Sequence, residues 1–358
     1  METGCAIDWT PMSTPSSAQY LLKGVDQTVD EIVRIENLRI DVLSKTEVIQ
    51  PVRGFNLVIE KGDAVGLVGE SGSGKTLTGL SIAGLLDPKK FLITADAFVV
   101  SGRNMSKLSE SAARELRMHS VRMIFQDPMS SLNPVMRIGT QLIEALTPDK
   151  RQTRRQAKAE ALKLLTDVKI DDPAVVYKKY PHQLSGGMRQ RVMIGMSLGA
   201  EPELILADEP TTALDVSTQS VVLDLLQELT ERFHTSLLFV SHDLSVVARV
   251  TRKLLVMYAG MVVETGPTDD IFLKPAHPYT VGLVKSIPRL DDARSEDFYA
   301  IPGSMPSANS TFVGCPFAPR CYRKISRCES ELPPLMPIAN LGSPRERSVR
   351  CWNPEAVI

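Results

Sequence analysis

The sequence predicts an α/β protein whose core is a parallel, helix-covered sheet. An antiparallel sheet precedes this core, a helical subdomain is inserted into it, and a small irregular cysteine-containing domain follows. Apolar runs at Leu204–Ala207, Ser236–Val240 and Lys253–Met257 have the length of buried strands. Helical patterns at Val216–Arg232 and Leu244–Val250 separate them. This alternation is typical of parallel sheets covered by helices.

Composition and charge limit the classes of protein to consider. The chain has 358 residues, of which 43% are hydrophobic, so it can bury a sizeable core. Its 41 Lys and Arg against 42 Asp and Glu leave a net charge of -1, which provides no overall attraction to nucleic acid or anionic lipid. Leu254–Val263 is the most apolar stretch and is shorter than the roughly 20 residues of a membrane-spanning helix. Glu2 and Asp8 stand where a secretory signal would be basic, so we expect a cytosolic protein.

The first half of the chain predicts a leader, an antiparallel sheet and a helical insert. Residues 1–31 have little periodicity, and we expect them to be a flexible leader. Apolar residues then alternate from Ile32, with a turn at Lys61–Asp63, which indicates antiparallel strands. After a buried run at Val121–Phe125, helical patterns dominate, as in Thr153–Val168. We find no internal repeat.

A glycine-rich loop directly follows the predicted strand Ala64–Val68 and opens a helix predicted over Leu77–Leu86. It fits GxxxxGKT, and its residues are Gly69, Glu70, Ser71, Gly72, Ser73, Gly74, Lys75 and Thr76. Backbone N–H groups of such a loop surround phosphate oxygens, because glycines leave room for the ligand. Lys75 then supplies a charge for the outer phosphates, and the Thr76 hydroxyl can coordinate Mg²⁺. The loop therefore predicts a nucleotide-binding site.

Two carboxylates, Asp208 and Glu209, end the buried strand Leu204–Ala207. Burying carboxylates costs free energy unless a cation or a reacting water uses them. Asp208 suits Mg²⁺, and Glu209 suits a base that polarises the attacking water. An apolar run before two acids is by itself a common strand end, so this assignment depends on the phosphate loop upstream.

A second anion-binding end is predicted where Leu184–Gln190 runs into the helical segment Val192–Ala200. Ser185 stands at the N-cap position, and Gly186 and Gly187 leave backbone amides open at the positive end of the helix. A serine-glycine pair alone is usually only a cap. Here one chain has two phosphate-binding sites, although one nucleotide needs one site that binds it and one that covers it. A dimer would use both, because the helix end of one subunit would cover the nucleotide bound at the phosphate loop of the other.

Together these motifs resemble the full, correctly ordered set of an ATP-binding cassette (ABC) ATPase over residues 32–266, with a helical subdomain at about 128–200. The resemblance implies ATP and Mg²⁺ as ligands. It implies that Gln126 contacts Mg²⁺ and senses membrane subunits, that Asp215 crosses a dimer interface, and that His242 contacts the γ-phosphate. Taken singly, each of these three would be an ordinary structural residue. The implied catalytic residues are Glu209, His242 and Gln126, and the implied metal contacts are Thr76, Gln126 and Asp208.

One position departs from the family pattern. The family usually places an aromatic residue near the end of the first strand to stack on adenine, and Val42 stands at the corresponding place. Stacking contributes roughly 0.5 to 1.5 kcal/mol, which is small beside a triphosphate held by many donors. The resemblance therefore still implies ATP, with adenine held less firmly or by another ring.

Residues 267–358 resemble the C-terminal extension of the oligopeptide, dipeptide and nickel importer branch, through Gly266, Ile271–Thr280 and the cysteine tail. The resemblance implies a bacterial uptake system with two membrane permeases and an external solute-binding protein. This subunit would lie peripherally on the cytoplasmic face of the inner membrane, paired with a related ATPase subunit or with a copy of itself. We expect peptides as the solute, with nickel or another small solute as the alternative. His277 and Tyr279 are expected to pack structurally.

The tail contains four of the five cysteines, at Cys315, Cys321, Cys328 and Cys351. Disulfides are disfavoured in the cytosol, and close CxxC pairs typical of structural zinc are absent. Iron-sulfur clusters accept thiolates from irregular loops, and some members of the importer branch carry a [4Fe-4S] cluster in this tail. A cluster is therefore the leading expectation, with zinc and metal-free thiols as alternatives.

The sequence disfavours two other classes of protein. Soluble ABC proteins that act on DNA or ribosomes would carry long coiled coils, a second cassette or basic stretches, and the sequence has none. A regulatory module without turnover would lack the base at Glu209. We therefore expect a transport ATPase that does not bind nucleic acid.

Overall fold

The computed structural model describes residues 30–43, 48–127, 131–146, 153–212, 214–287, 299–338 and 347–355. Most of the predicted leader lies outside these ranges. The strands, in chain order, are β1 (Glu31–Leu43), β2 (Val48–Glu60), β3 (Ala64–Val68), β4 (Phe91–Thr94), β5 (Ala97–Val100), β6 (Arg103–Asn104), β7 (Val121–Ile124), β8 (Leu204–Asp208), β9 (Ser236–Ser241), β10 (Lys253–Tyr258), β11 (Met261–Pro267), β12 (Met336–Pro337) and β13 (Ser348–Val349).

The helices are α1 (Lys75–Ile82), α2 (Glu110–His119), α3 (Ile138–Leu146), α4 (Arg154–Asp167), α5 (Pro173–Val176), α6 (Gly186–Leu198), α7 (Val216–Phe233), α8 (Leu244–Val250), α9 (Thr268–Leu273), α10 (Pro278–Lys285) and α11 (Arg327–Ser330). None of the helices in the described residues is both long and apolar enough to span a bilayer.

The predicted antiparallel sheet is confirmed. Its strands follow the order β2-β1-β5-β6, and β4 also pairs with β1. Val33, Ile35, Leu38 and Ile40 of β1 are buried. The sheet therefore has an apolar face that packs onto the rest of the core.

The predicted parallel sheet is also confirmed. Strands β10, β3, β9, β8 and β7 lie side by side in that order and pair in parallel. Both faces are buried, which explains the continuous apolar runs. In β8, for example, Leu204 and Leu206 face the core shared with the antiparallel sheet, while Ile205 and Ala207 face the core shared with the helices.

Helices α3 to α6 lie between β7 and β8, in the region where the sequence shows helical patterns. Thr153 caps α4 through a reciprocal capping box with Gln156. The predicted start of α1 at Leu77 was wrong: the helix begins at Lys75, because the loop runs directly into it. The N-cap predicted at Ser185 is confirmed, and α6 begins at Gly186.

The C-terminal extension is less irregular than its sequence suggests. Strand β13 pairs with β11, and β12 pairs with β13, so the extension continues the central sheet. Glu264 and Arg347 form a buried ion pair at 2.6 Å, and Glu264 also accepts the backbone N–H groups of Ala276 and His277. Ladder hydrogen bonds and this buried pair therefore attach the extension to the ATPase domain.

Candidate active site

The glycine-rich loop follows β3 and leads into α1. A Cβ at Gly69 would lie 2.1 Å from the carbonyl oxygen of Met257, and one at Gly74 would lie 2.5 Å from that of Pro51. Gly74 also adopts φ = 103°, which disfavours any residue with a side chain. Glycine is thus required where the loop passes close to its neighbours.

Lys75 is buried and folds back over the loop. Its Nζ donates to the carbonyl oxygen of Gly69 at 2.7 Å and to that of Glu70 at 3.0 Å. Burial lowers the pKa of Lys75, while three nearby carboxylates oppose that shift. The ammonium group is thus held at the loop by acceptors that incoming phosphate oxygens can replace.

Thr76 and Asp208 meet beside the loop. The Thr76 hydroxyl donates to Oδ1 of Asp208 at 3.2 Å, joining the start of α1 to the end of β8. Asp208 is buried, and this burial raises its pKa while the bond from Thr76 opposes the shift. One hydroxyl and one buried carboxylate are ligands that suit Mg²⁺, which supports the site predicted for it.

Glu209 and His242 form a pair at the ends of β8 and β9. Nδ1 of His242 lies 2.9 Å from Oε1 of Glu209, and Thr212 donates its hydroxyl to Oε2 at 3.1 Å. Glu209 adopts φ = 48°, a conformation that is costly for a residue with a side chain. Its backbone N–H is fixed by a bond to the carbonyl of Val240. The carboxylate is thus aimed by the backbone and by two side chains.

Gln126 stands apart from this group. It follows β7 and is exposed, and within the described residues no hydrogen bond joins it to Thr76 or Asp208.

One group of residues is called the phosphate-loop edge below. It lies at the carboxyl ends of β3, β8 and β9 and consists of Gly69–Thr76, Asp208, Glu209 and His242. In open α/β sheets this is the edge where ligands bind.

Ser185–Gly187 opens α6 and is called the signature end below. Ser185 is exposed, and its hydroxyl accepts the backbone N–H of Met188 at 3.3 Å. A Cβ at Gly187 would lie 2.4 Å from a methyl carbon of Thr218, so α6 and α7 approach closely here. Asp215 caps α7 by accepting from the N–H and hydroxyl of that same Thr218. The hydrogen bond from the Ser217 hydroxyl, together with these two, lowers the pKa of Asp215. Within the described residues no hydrogen bond links this end to the chain's own phosphate loop.

Comparisons with known proteins agree with this geometry. A family model described as ABC transporter matches residues 52–212, and one described as oligopeptide/dipeptide transporter, C-terminal region, matches residues 263–328. The chain is 42% identical to the oligopeptide transport ATP-binding protein AppD of Bacillus subtilis over 90% of this chain and 96% of that protein. The chain belongs to the ABC transporter family. Within it, the chain belongs to the oligopeptide/dipeptide branch of ATP-binding subunits, and it is an ATPase.

Two further similarities support the assignment. The oligopeptide transport ATP-binding protein OppD of Escherichia coli is 42% identical over 86% of this chain and 90% of that protein. A dimeric structure of the ATP-binding cassette MJ0796, in a post-hydrolysis state bound to ADP and Pi, matches with a TM-score of 0.57 and 26% identity, covering 66% of this chain and 98% of that one. The ABC fold predicted from the sequence is therefore confirmed.

Val42 is the residue predicted to stand at the position of the usual ABC adenine-stacking residue. It lies in β1, paired with Ile49 of β2 and with Phe91 of β4. An aromatic ring is thus present on the neighbouring strand, although not at the family position.

The extension of this ABC subunit reaches the phosphate loop, which sequence reasoning missed. The backbone N–H of Glu70 donates to the Tyr279 hydroxyl at 2.8 Å, and Arg320 forms an ion pair with the Glu70 carboxylate. His277 is buried as expected and caps α10 through Nδ1. Arg320 gave no signal in the sequence, since it lies 250 residues from Glu70.

The four tail cysteines are free thiols, two of them buried. Burial, with a smaller contribution from the other tail thiols, raises the pKa of Cys315 to about 11 and that of Cys351 to about 12. The four therefore lie in one region. Among the described residues, however, no three His, Cys, Asp or Glu side chains converge closely enough to hold a metal ion. This arrangement disagrees with zinc, whose ligands converge at roughly 2.3 Å from one centre, and it does not support the cluster directly.

Proposed function

We propose that this ABC ATPase is the ATP-hydrolysing subunit of a bacterial importer that takes up di- or oligopeptides through partner permeases. The observation that carries the proposal is the pairing of Glu209 with His242 beside a buried Lys75 and the Thr76–Asp208 pair, in a chain whose extension matches the peptide-transporter region. As domain organisation we propose a leader at 1–31, an ATPase domain at 32–266 and the extension at 267–358.

The proposed chemistry uses this chain's own groups. Backbone amides from Gly69 to Thr76 bind the phosphates, and Lys75 exchanges its loop carbonyls for phosphate oxygens. Mg²⁺, when bound, neutralises charge that develops on the phosphates. Thr76, Asp208 and Gln126 are the residues that would hold it.

Glu209 is the proposed base. It would accept a proton from the attacking water, with His242 orienting its carboxylate and contacting the γ-phosphate. The left-handed backbone and the bond from Thr212 support this role, because they fix the carboxylate before substrate arrives.

We propose that the site is completed by a second ATPase subunit, either a related protein or a second copy of this chain. Ser185, Gly186, Gly187 and Asp215 would then cover the partner's phosphates. Two facts support this: the signature end, where Ser185 is exposed, has no hydrogen bond to its own loop in the described part of the chain, and the similar cassette MJ0796 is dimeric.

A groove beside Gln126 is the proposed contact with the permeases. It has a volume of about 530 Å³ and lies between the sheet and the helices of the insert. Its walls include Leu85, Phe125, Met193 and Met196, and Phe125 is exposed although apolar. Flexible methionines suit a surface that adapts to another protein. Binding there would keep the subunit peripheral, at the cytoplasmic face of the membrane.

Peptides are the proposed solute because relatives that match most of the chain are named for oligopeptide or dipeptide transport. A deletion strain complemented with wild-type protein or with Glu209→Gln would test this, with uptake of a labelled tripeptide compared with that of Ni²⁺. We expect peptide uptake to return only with the wild type. Restored Ni²⁺ uptake without peptide uptake would replace peptide with nickel.

We also propose a [4Fe-4S] cluster on Cys315, Cys321, Cys328 and Cys351. Four thiols in one region, two of them buried, support it, because in a cluster each thiolate binds its own iron and the sulfurs need not converge on one centre. The raised pKa of Cys315, Cys321 and Cys351 means that binding must release protons. Anaerobic purification followed by iron and acid-labile sulfide analysis tests the proposal, and protein from iron-replete cells that contains neither would reject it.

A further inference from the structure

Arg320 belongs to the cysteine tail, and its side chain places a buried positive charge beside the phosphate loop. Only 7% of its side chain is exposed, and Nη1 lies 3.1 and 3.2 Å from the two carboxylate oxygens of Glu70. Glu70 is the second residue of the loop and is 29% exposed. Because one partner is shielded from water, this pair is less screened than an ordinary surface ion pair.

The guanidinium group of Arg320 is fixed in place by the extension and by β10. Nε donates to the carbonyl of Pro302 at 2.7 Å, and Nη1 lies 3.4 Å from the Tyr258 hydroxyl. The guanidinium carbon lies 5.8 Å from the ring centroids of both Tyr258 and Phe317. These contacts orient the charge before any nucleotide binds.

A second contact holds the backbone of the same loop residue. The N–H of Glu70 donates to the hydroxyl of Tyr279, which is fully buried. The Tyr279 ring packs against Tyr258 and Phe317, with centroids 4.7 and 5.4 Å apart. The carbonyl of Glu70 in turn accepts from Nζ of Lys75 at 3.0 Å. A continuous chain of contacts thus runs from the extension through Glu70 to Lys75.

The negative charge of Glu70 opposes phosphate binding, and the contact with Arg320 compensates for it. A carboxylate within a loop that binds a triphosphate repels the ligand, because like charges at short range raise the free energy of the complex. Arg320 neutralises that carboxylate and draws it toward the extension.

We propose that Arg320 and Tyr279 are positioning residues for the phosphate loop, which raise nucleotide affinity by neutralising and orienting Glu70 without touching the nucleotide. The inference rests on the proposed role of the loop and Lys75 in binding phosphates.

The link extends to the cysteines. Arg320 closes a short turn, Ala318–Arg320, and directly precedes Cys321. Within that turn the N–H of Ala318 donates to the carbonyl of Cys315, and the N–H of Cys321 donates to that of Ala318. The conformation of the Cys315–Cys321 segment therefore sets the position of the charge that acts on Glu70.

The test measures equilibrium binding of Mg²⁺ with a non-hydrolysable ATP analogue to the full-length chain. Arg320→Ala should raise the dissociation constant by about tenfold, because it leaves the Glu70 charge uncompensated. Arg320→Lys, which keeps a charge, should lose less. The control is Arg323→Ala, which removes a tail arginine that pairs with Glu355 at 3.1 Å and should leave binding unchanged.

Rescue distinguishes electrostatic positioning from a general structural role. The double variant Arg320→Ala with Glu70→Gln should bind within about threefold of wild type, because the charge that Arg320 neutralises is gone. In steady-state ATPase assays Arg320→Ala should raise KM more than it lowers kcat, since it acts on binding.

Several outcomes would overturn the inference. Unchanged binding by Arg320→Ala would do so, as would a double variant as weak as the single one, which would mean a structural role. If Arg320→Ala does not fold, Glu70→Gln alone decides: we expect it to bind at least as tightly as wild type, and tenfold weaker binding contradicts the account. Wild-type protein that does not bind the analogue would instead reject the proposed nucleotide site.

Discussion

The phosphate-loop edge and the signature end are built in different ways. At the edge, residues from three strands are joined within one chain, as in the 3.2 Å bond between Thr76 and Asp208 and the 2.9 Å contact between Glu209 and His242. At the signature end, Ser185 bonds to its own helix, and Gly187 packs on Thr218. The difference teaches that one half of the proposed site is assembled by folding, while the other half is presented for assembly with a partner.

Replacing the base at the edge should have the largest effect. Glu209→Gln keeps the shape and hydrogen bonding of the side chain but removes the proton acceptor, so ATP hydrolysis should fall by about 10² to 10⁴ while ATP still binds. Single-turnover assays with the partner subunit present measure this. Turnover within a factor of two of wild type would remove Glu209 from the chemistry.

Replacing the lysine of the loop should impair nucleotide binding at the phosphate-loop edge. Lys75→Ala removes a charge-assisted phosphate contact of roughly 1.5 to 3 kcal/mol, so ATP affinity should fall by about ten- to a hundredfold and turnover should be lost with it. Nucleotide titration checks the affinity. Normal ATPase rates in this variant would reject the phosphate assignment.

A bulky charged residue at the signature end should distinguish the functions of the two regions. Ser185→Arg should reduce turnover by at least about tenfold, because it blocks closure over the partner's nucleotide. Affinity for ATP at the chain's own loop should not change. Paired affinity and turnover measurements on one preparation decide the matter, and equal losses in both would mean that the two regions are not separate.

The smallest effect is expected for Ser185→Ala, which distinguishes the capping role of Ser185 from its proposed role in binding phosphate. Ser185→Ala should cost about 1 kcal/mol of unfolding free energy through the lost cap of α6. Ser109 caps α2 with the same geometry and provides the matched control Ser109→Ala. Both variants should lose similar stability in denaturant titrations, but only Ser185→Ala should lose turnover. Equal ATPase rates for the pair would leave Ser185 with a capping role alone.

The sequence predicted the edge better than the extension, for physical reasons. Each edge residue follows a buried strand, and carboxyl ends of neighbouring parallel strands must lie together, so the strand pattern alone brings Lys75, Asp208 and His242 to one place. The helix cap at Ser185 is equally local, and it was predicted.

The contacts of the extension depend on packing between distant segments, which no local pattern encodes. Arg320 meets Glu70 across 250 positions, and the two-residue strand β13 is too short to show alternation. The left-handed backbone of Glu209 was also beyond prediction, because that conformation is costly for a residue with a side chain and depends on tertiary restraint.

The most direct test of the central claim, that the two regions form one site only when two subunits meet, is gel filtration of the Glu209→Gln variant with its partner subunit. Its slow hydrolysis should leave ATP trapped between the phosphate-loop edge of one subunit and the signature end of the other. The account predicts a shift to a dimer that requires ATP and Mg²⁺, and loss of that shift when Ser185→Arg is added. An elution profile that does not respond to ATP would contradict it.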